Sequence, residues 1–157
     1  VDILVSGEGE DNMPVALPND ILVPFEQYLR AHKPAGIQME INSYNPDDIR
    51  IYMSIQYDRL IMNDNGTLIS NNGQHPVEDA IKSYLRSIEY GGVFNKTKLI
   101  DVVQKAEGVQ DLILSSVSAK PSGDAPYTEV KSNNYPAVSG AFNAVDLRNT
   151  ITYVTSL

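Results

Sequence analysis

Few residues in this chain have the type and spacing to do chemistry, and each such group lacks a partner. Glu8, Glu10 and Asp11 place three carboxylates in a Gly-containing loop after the first strand-like run, the donor type hard cations use. On a loop this polar, hydrated acids are expected instead. Gly7-Glu8-Gly9 follows a strand as a dinucleotide loop does, but position 12 is Asn where that fingerprint needs Gly, and the neighbouring acids repel a pyrophosphate. Asn63-Asp64-Asn65-Gly66 resembles part of a calcium loop. With Gly66 on that loop's glycine, Ile61 takes the first ligand position and Asn72 the bidentate acid position, so a tight turn is expected. His32 ends one helical pattern and His75 precedes another, positions that favour capping or solvent exposure over metal or base chemistry. Asp47 and Asp48 read as turn formers. No nucleophile elbow, phosphate loop or His-Glu-x-x-His is present. No catalytic, cofactor-binding or metal-ligating residues are therefore expected.

Periodicity gives the elements that would position such groups. Asp2 to Ser6 reads as a strand. Pro18-Asn19-Asp20 opens a helix with Ile21, Phe25 and Leu29 as its inner face, and Pro24 favours a regular start later than Asn19. After the Lys33-Pro34-Ala35-Gly36 stop, Ile37, Met39 and Ile41 alternate in one strand. Ile49, Ile51, Met53, Ile55 and Tyr57 alternate in the next, the clearest period-2 signal of the chain. Pro76 opens a second helix with Val77, Ala80, Ile81, Tyr84, Leu85 and Ile88 inside. Asn95 caps a third, and Gly108 closes it before a strand over 109–119. Residues 120–148 read as a long loop, and 149–156 as a closing strand. The predicted fold is α+β with mostly antiparallel strands. It comprises two small sandwich modules, β-α-β-β over 1–62 and α-α-β-loop-β over 76–157, joined by a polar linker at 63–75.

Composition removes whole function classes. The 157 residues carry 20 acids against 12 bases, a formal charge of −8, and no Cys. Thiol catalysis, disulfide scaffolds and thiolate metal sites are excluded, and the acidity argues against nucleic acid or an anionic membrane as partner. No apolar run approaches the roughly 20 residues of a membrane span. Residues 1–80 hold 13 acids and 4 bases, whereas 81–157 hold 7 and 8. The near-neutral second half is thus the expected contact surface. Tyr127, Tyr135 and Phe142 in the long loop are the candidate partner contacts, because aromatic rings supply contact area at low entropic cost. Removing 122–146 is expected to spare the fold and abolish partner binding. The strand-like opening at Val1, without an initiator Met, suggests a domain excised from a longer protein.

The run Asp2-Ile3-Leu4-Val5, the acidic Gly loop, the Pro18–Arg30 helix and the corner Lys33-Pro34-Ala35-Gly36 before Ile37-Gln38-Met39-Glu40-Ile41 resemble the baseplate J-like family of contractile phage tails and related injection systems. That family has an Arg-Pro-x-Gly or similar corner leading to a β-hairpin, and Asn45 to Tyr57 resembles its second hairpin strand. Val77–Leu85, Gly91-Gly92-Val93, Thr97–Ile100 and Ala106–Val109 are similar to the helix, helix start and Gly-Val step before the family's last strands. Family members are longer, and their N-terminal half has no counterpart here. The resemblance implies a wedge or ring component in the virion baseplate, or in the bacterial cytoplasm during assembly. It further implies contacts with sibling subunits and other wedge proteins, and no active site. The matching positions are Gly, Pro and core hydrophobes, so no functional residue carries over. The alternative is a small peptide- or carbohydrate-binding module using the loop aromatics. A hydrolase would need two acids converging in one pocket.

Overall fold

The computed structural model of the chain describes residues 1–10 and 13–157, so Asp11 and Asn12 of the acidic loop lie outside the described residues. The first 46 residues make a parallel pair, β1 (Asp2–Leu4) with β4 (Glu40–Asn42). A short ladder of β2 (Gly7–Glu8) with β3 (Pro14–Val15) lies between them in sequence, followed by the crossover helix α1 (Asn19–His32). Parallel neighbours require such a crossover. The Pro18 carbonyl accepts from the N–H groups of Ile21 and Leu22, so the helix starts at Asn19 and carries Pro24 inside it, earlier than the sequence predicts. The inner face also differs. Leu22, Glu26, Leu29 and Lys33 are half-buried, while Ile21 and Phe25 are 52% and 37% exposed. Eight residues turn a helix about 80° past two full turns, so Ile21 and Leu29 cannot share one face. No residue of α1 is buried. Among the described residues of 1–46, only Ile41 is buried, and it stands outside the main core cluster.

The rest of the chain folds around one strand. β5 (Asp47–Tyr57) is followed by α2 (Pro76–Ser87), β6 (Val93–Asn95), α3 (Lys96–Gln104) and β7 (Val109–Lys120). Then come β8 (Thr128–Glu129), β9 (Asn134–Pro136), β10 (Phe142–Ala144), α4 (Leu147–Thr150) and β11 (Ile151–Val154). Antiparallel β7 lies on one edge of β5, with β8 beyond it. On the other edge β10 and then β11 run parallel to β5. Every second residue of β5 from Asp47 to Tyr57 is buried, as its alternation demands. Ile49, Ile51 and Ile55 are fully buried on this face, together with Val77 and Ile81 of α2 and Leu99 and Val103 of α3. Each such side chain stabilises by about 1.5–3 kcal/mol relative to exposure. Asn95 caps α3 by accepting from the Lys98 N–H at 2.9 Å, and Gly108 has φ +82°, both as expected.

The architecture is α+β with antiparallel pairings in the majority. The division at 63–75 does not survive: β5 belongs to the same sheet as β7, β10 and β11, so the boundary falls near residue 46. The 63–75 segment is no linker. Met62 and Leu68 bridge and are buried, and Thr67 is buried with its hydroxyl 2.6 Å from Asn65 Oδ1 and 2.9 Å from Asn72 Oδ1. Nor is 120–148 a loop, since it carries three strands and places Val130, Ala141 and Phe142 in the interior. Removing 122–146 would therefore take out core side chains instead of sparing the fold.

Gly66 has φ +79°, and a Cβ there would lie 2.3–2.5 Å from the Tyr153 ring, whereas Gly36 at φ +86° meets nothing within 4 Å. Gly66→Ala is expected to cost about 3 kcal/mol in urea unfolding, from strain plus overpacking. Gly36→Ala should cost about 1 kcal/mol, from strain alone.

Candidate functional site

Asp47, read from sequence as a turn former, is the first residue of β5 and is fully buried. Its carboxylate accepts from the Ser139 N–H at 3.0 Å, the Val138 N–H at 2.9 Å and the Tyr135 hydroxyl at 3.1 Å. The Ser139 hydroxyl in turn accepts from the Asp47 N–H at 3.0 Å. A buried carboxylate is tolerated only with such a set of donors. Here they come from about ninety residues downstream and hold 135–141 against the start of β5. The sequence carried a signal for this: Asp47 continues the phase of Ile49, Ile51 and Met53, the buried parity of the strand.

That anchor decides the fate of the aromatic contact candidates. Phe142 is 1% exposed and lies between Phe94 and Tyr135, with ring centroids 6.1 Å from each. Tyr135 is half-buried, with its hydroxyl on Asp47. Both rings fold back onto the sheet and are structural, contrary to the expected surface role. Tyr127 alone of the three stays at the outer face. The Arg50 guanidinium lies 4.0 Å from its ring centroid, and Arg50 also pairs with Asp146 at 2.9 Å. Residues 120–148 therefore do not form an aromatic recognition loop.

A second grouping went unread in the sequence. Glu78, in the first turn of α2, is buried. His75 Nδ1 and Arg148 Nε each lie 3.4 Å from its carboxylate, and Lys82 Nζ lies 3.8 Å away. The spacing of His75 to Glu78, three residues at a helix start, was the available clue. Tyr153 lines the same cleft, of about 490 Å³, together with Asp64 and Asn65. Burial, then the charge of Glu78, pushes the Tyr153 hydroxyl above its usual range, so it stays protonated. The hydrolase reading asks for two acids in one pocket, and Asp64 and Glu78 both line this one. The Glu78 carboxylate, however, is matched by cations of its own chain, which makes it an anchor for α2 and the 147–148 turn. Glu8 and Glu10 are exposed, and His32 stacks on Tyr28 with its Nδ1 2.8 Å from the Tyr28 carbonyl. Among the described residues, no three His, Asp or Glu side chains converge as a metal site.

α1 exposes several large apolar side chains together. Ile21, Phe25 and Tyr28, 52%, 37% and 59% exposed, line up with His32 at spacings of four, three and four residues. These positions form one helical stripe. It lies beside the half-buried positions Leu22, Glu26, Leu29 and Lys33, two of them charged. The charged half of the chain thus also presents an apolar surface. No family model and no curated protein matches this chain.

Burial first, then the charge and hydrogen bond of Asp47, push the Tyr135 hydroxyl from 10.0 up to about 12. Its folded value thus lies above its unfolded one. The stability it contributes is fully present below pH 10.0 and is lost as pH rises toward about 12. Tyr135→Phe should cost about 1 kcal/mol at neutral pH and flatten the alkaline loss measured by urea unfolding. Asp47→Asn should cost about 2–4 kcal/mol, because an amide turns donor against donor.

Proposed function

We propose that this chain is a structural assembly protein, a wedge or ring component of a phage-like contractile tail baseplate, working by protein–protein contact. One observation carries the reading. A helix of 14 residues buries none of them and turns Ile21, Phe25 and Tyr28 outward, on a lobe whose only buried residue among those described is Ile41. Helices of this length are marginal in water without tertiary packing, and a two-stranded sheet gives little support. An element so exposed is suited to completion by a neighbour. The baseplate assignment rests on the resemblance of the strand, Gly loop, helix and Lys33–Gly36 corner to the baseplate J-like family. Its partners would be sibling subunits and adjacent wedge proteins, in the virion baseplate or in the bacterial cytoplasm during assembly. No helix among the described residues is long and apolar enough to cross a membrane. The binding-module reading loses its support, since two of its three aromatics are committed to the interior.

Co-expression with the products of adjacent genes tests this reading. Tail sheath, tube or spike proteins should be encoded nearby. The chain should co-purify with at least one neighbouring tail protein at fixed stoichiometry, and negative-stain images should place it in a baseplate-like particle. Metabolic neighbours, with the chain eluting alone, would overturn it.

A further inference from the structure

We infer that the Asn72–Gly73 peptide is a site of spontaneous covalent modification, where the Asn72 side-chain amide is exchanged for a carboxylate, and that the fold protects the other Asn-Gly pair, Asn65–Gly66. The sequence holds both pairs within one polar run. A glycine after Asn leaves its own main-chain nitrogen open to the Asn side chain, because it has no Cβ to shield it. In the reaction the Gly73 nitrogen gives its proton to hydroxide and bonds Asn72 Cγ. The Cγ–Nδ2 bond breaks, and Nδ2 leaves as ammonia with a proton from water. Water then opens the resulting succinimide ring at either carbonyl. One opening leaves aspartate at position 72. The other leaves isoaspartate, whose main chain runs through the side-chain carbons. Hydroxide and water are the only co-reactants, and nothing is oxidised or reduced.

The two pairs share a sequence and differ in setting. Asn72 and Gly73 are both exposed. The Gly73 N–H donates only to the Asn71 side chain, at 3.2 Å, and Asn71 is itself exposed, so hydroxide reaches this nitrogen. A Cβ on Gly73 would meet Asn71 Oδ1 alone, at 3.6 Å, which leaves room for the ring to close. Asn72 Oδ1 accepts from the Thr67 hydroxyl at 2.9 Å, and a donor on that oxygen favours attack at Cγ. Gly66, by contrast, is buried. Its N–H donates to the Asn63 main-chain carbonyl at 3.0 Å, and the Tyr153 ring packs where its Cβ would stand. Asn65 Oδ1 is held by the Thr67 N–H at 3.1 Å as well as by the Thr67 hydroxyl at 2.6 Å. Attack there must wait until the 63–67 turn opens. Isoaspartate at position 72 would add a methylene to the main chain two residues before Gln74, whose carbonyl accepts from the Leu68 N–H at 3.1 Å. Modification thus loosens the hold of 71–74 on the 63–68 turn.

Ageing of the folded chain in mildly alkaline buffer, read by mass spectrometry with fragment-ion sequencing, separates position 72 from position 65. Asn72 should gain the mass of an amide-to-acid exchange at least about tenfold faster than Asn65, since only Asn65 awaits opening of its turn. In the urea-denatured chain the two rates should agree within about twofold, because both Asn then precede an unhindered glycine. Gly73→Ala should slow the reaction at Asn72 about tenfold or more, in the folded and the denatured chain alike. Three results would each overturn the proposal: an intact Asn72 in the folded chain after the denatured chain has reacted, Asn65 reacting as fast as Asn72 in the folded chain, or a rate at Asn72 unchanged by Gly73→Ala.

Discussion

One buried carboxylate holds the larger part of this molecule together. Asp47 has no exposure, so its charge must be met inside the protein. The donors it recruits are two backbone N–H groups and a phenol from 135–139. Once those are fixed, β10 falls beside the start of β5, with Phe142 opposite Asp47, and the Phe142 ring fills the space between Phe94 and Tyr135. A segment with no sustained hydrophobic period thereby becomes part of the sheet. Pairing strands so distant in sequence costs loop-closure entropy, and a charged hydrogen-bond set at the strand's first residue gives that pairing a fixed register.

Local patterns were legible wherever a single element carried its own signal. The β5 alternation, the Pro76 start of α2, the Asn95 cap and the Gly108 close of α3 all follow from short-range chemistry. Long-range partnership was not. The polar run 63–75 looks like a linker because its Asn and Thr side chains are hydrophilic, yet they satisfy one another and seat Thr67 and Leu68 inside. The 120–148 stretch looks like a loop because its strands have two or three residues each, too short for any periodicity to register. A carboxylate in a first helical turn is ordinary, which hides the burial of Glu78 from the sequence. One of its cation partners, Arg148, is seventy residues away.

The acidity of the chain takes on a different meaning with the boundary near residue 46. Residues 1–46 hold 7 acids and 2 bases, and 47–157 hold 13 and 10, so charge per residue is concentrated on the part without a core. High charge and low burial both reduce what a lobe contributes to its own stability. The lobe meets the rest at its rim: the Tyr90 hydroxyl bonds Ser6, and Met13 and Pro14 line one cleft with Leu85, Arg86 and Phe142. A self-sufficient core carrying an acidic, uncored lobe is an arrangement in which the lobe gains order from a neighbour.

Native-state amide hydrogen exchange on the dilute chain tests that claim most directly, because it reads local opening free energies element by element. The account predicts that amides of α1 and β4 exchange at least about a hundredfold faster than those of β5 and β7, through opening of the lobe alone. Equal protection in α1 and β5, both lost only with global unfolding, would contradict it.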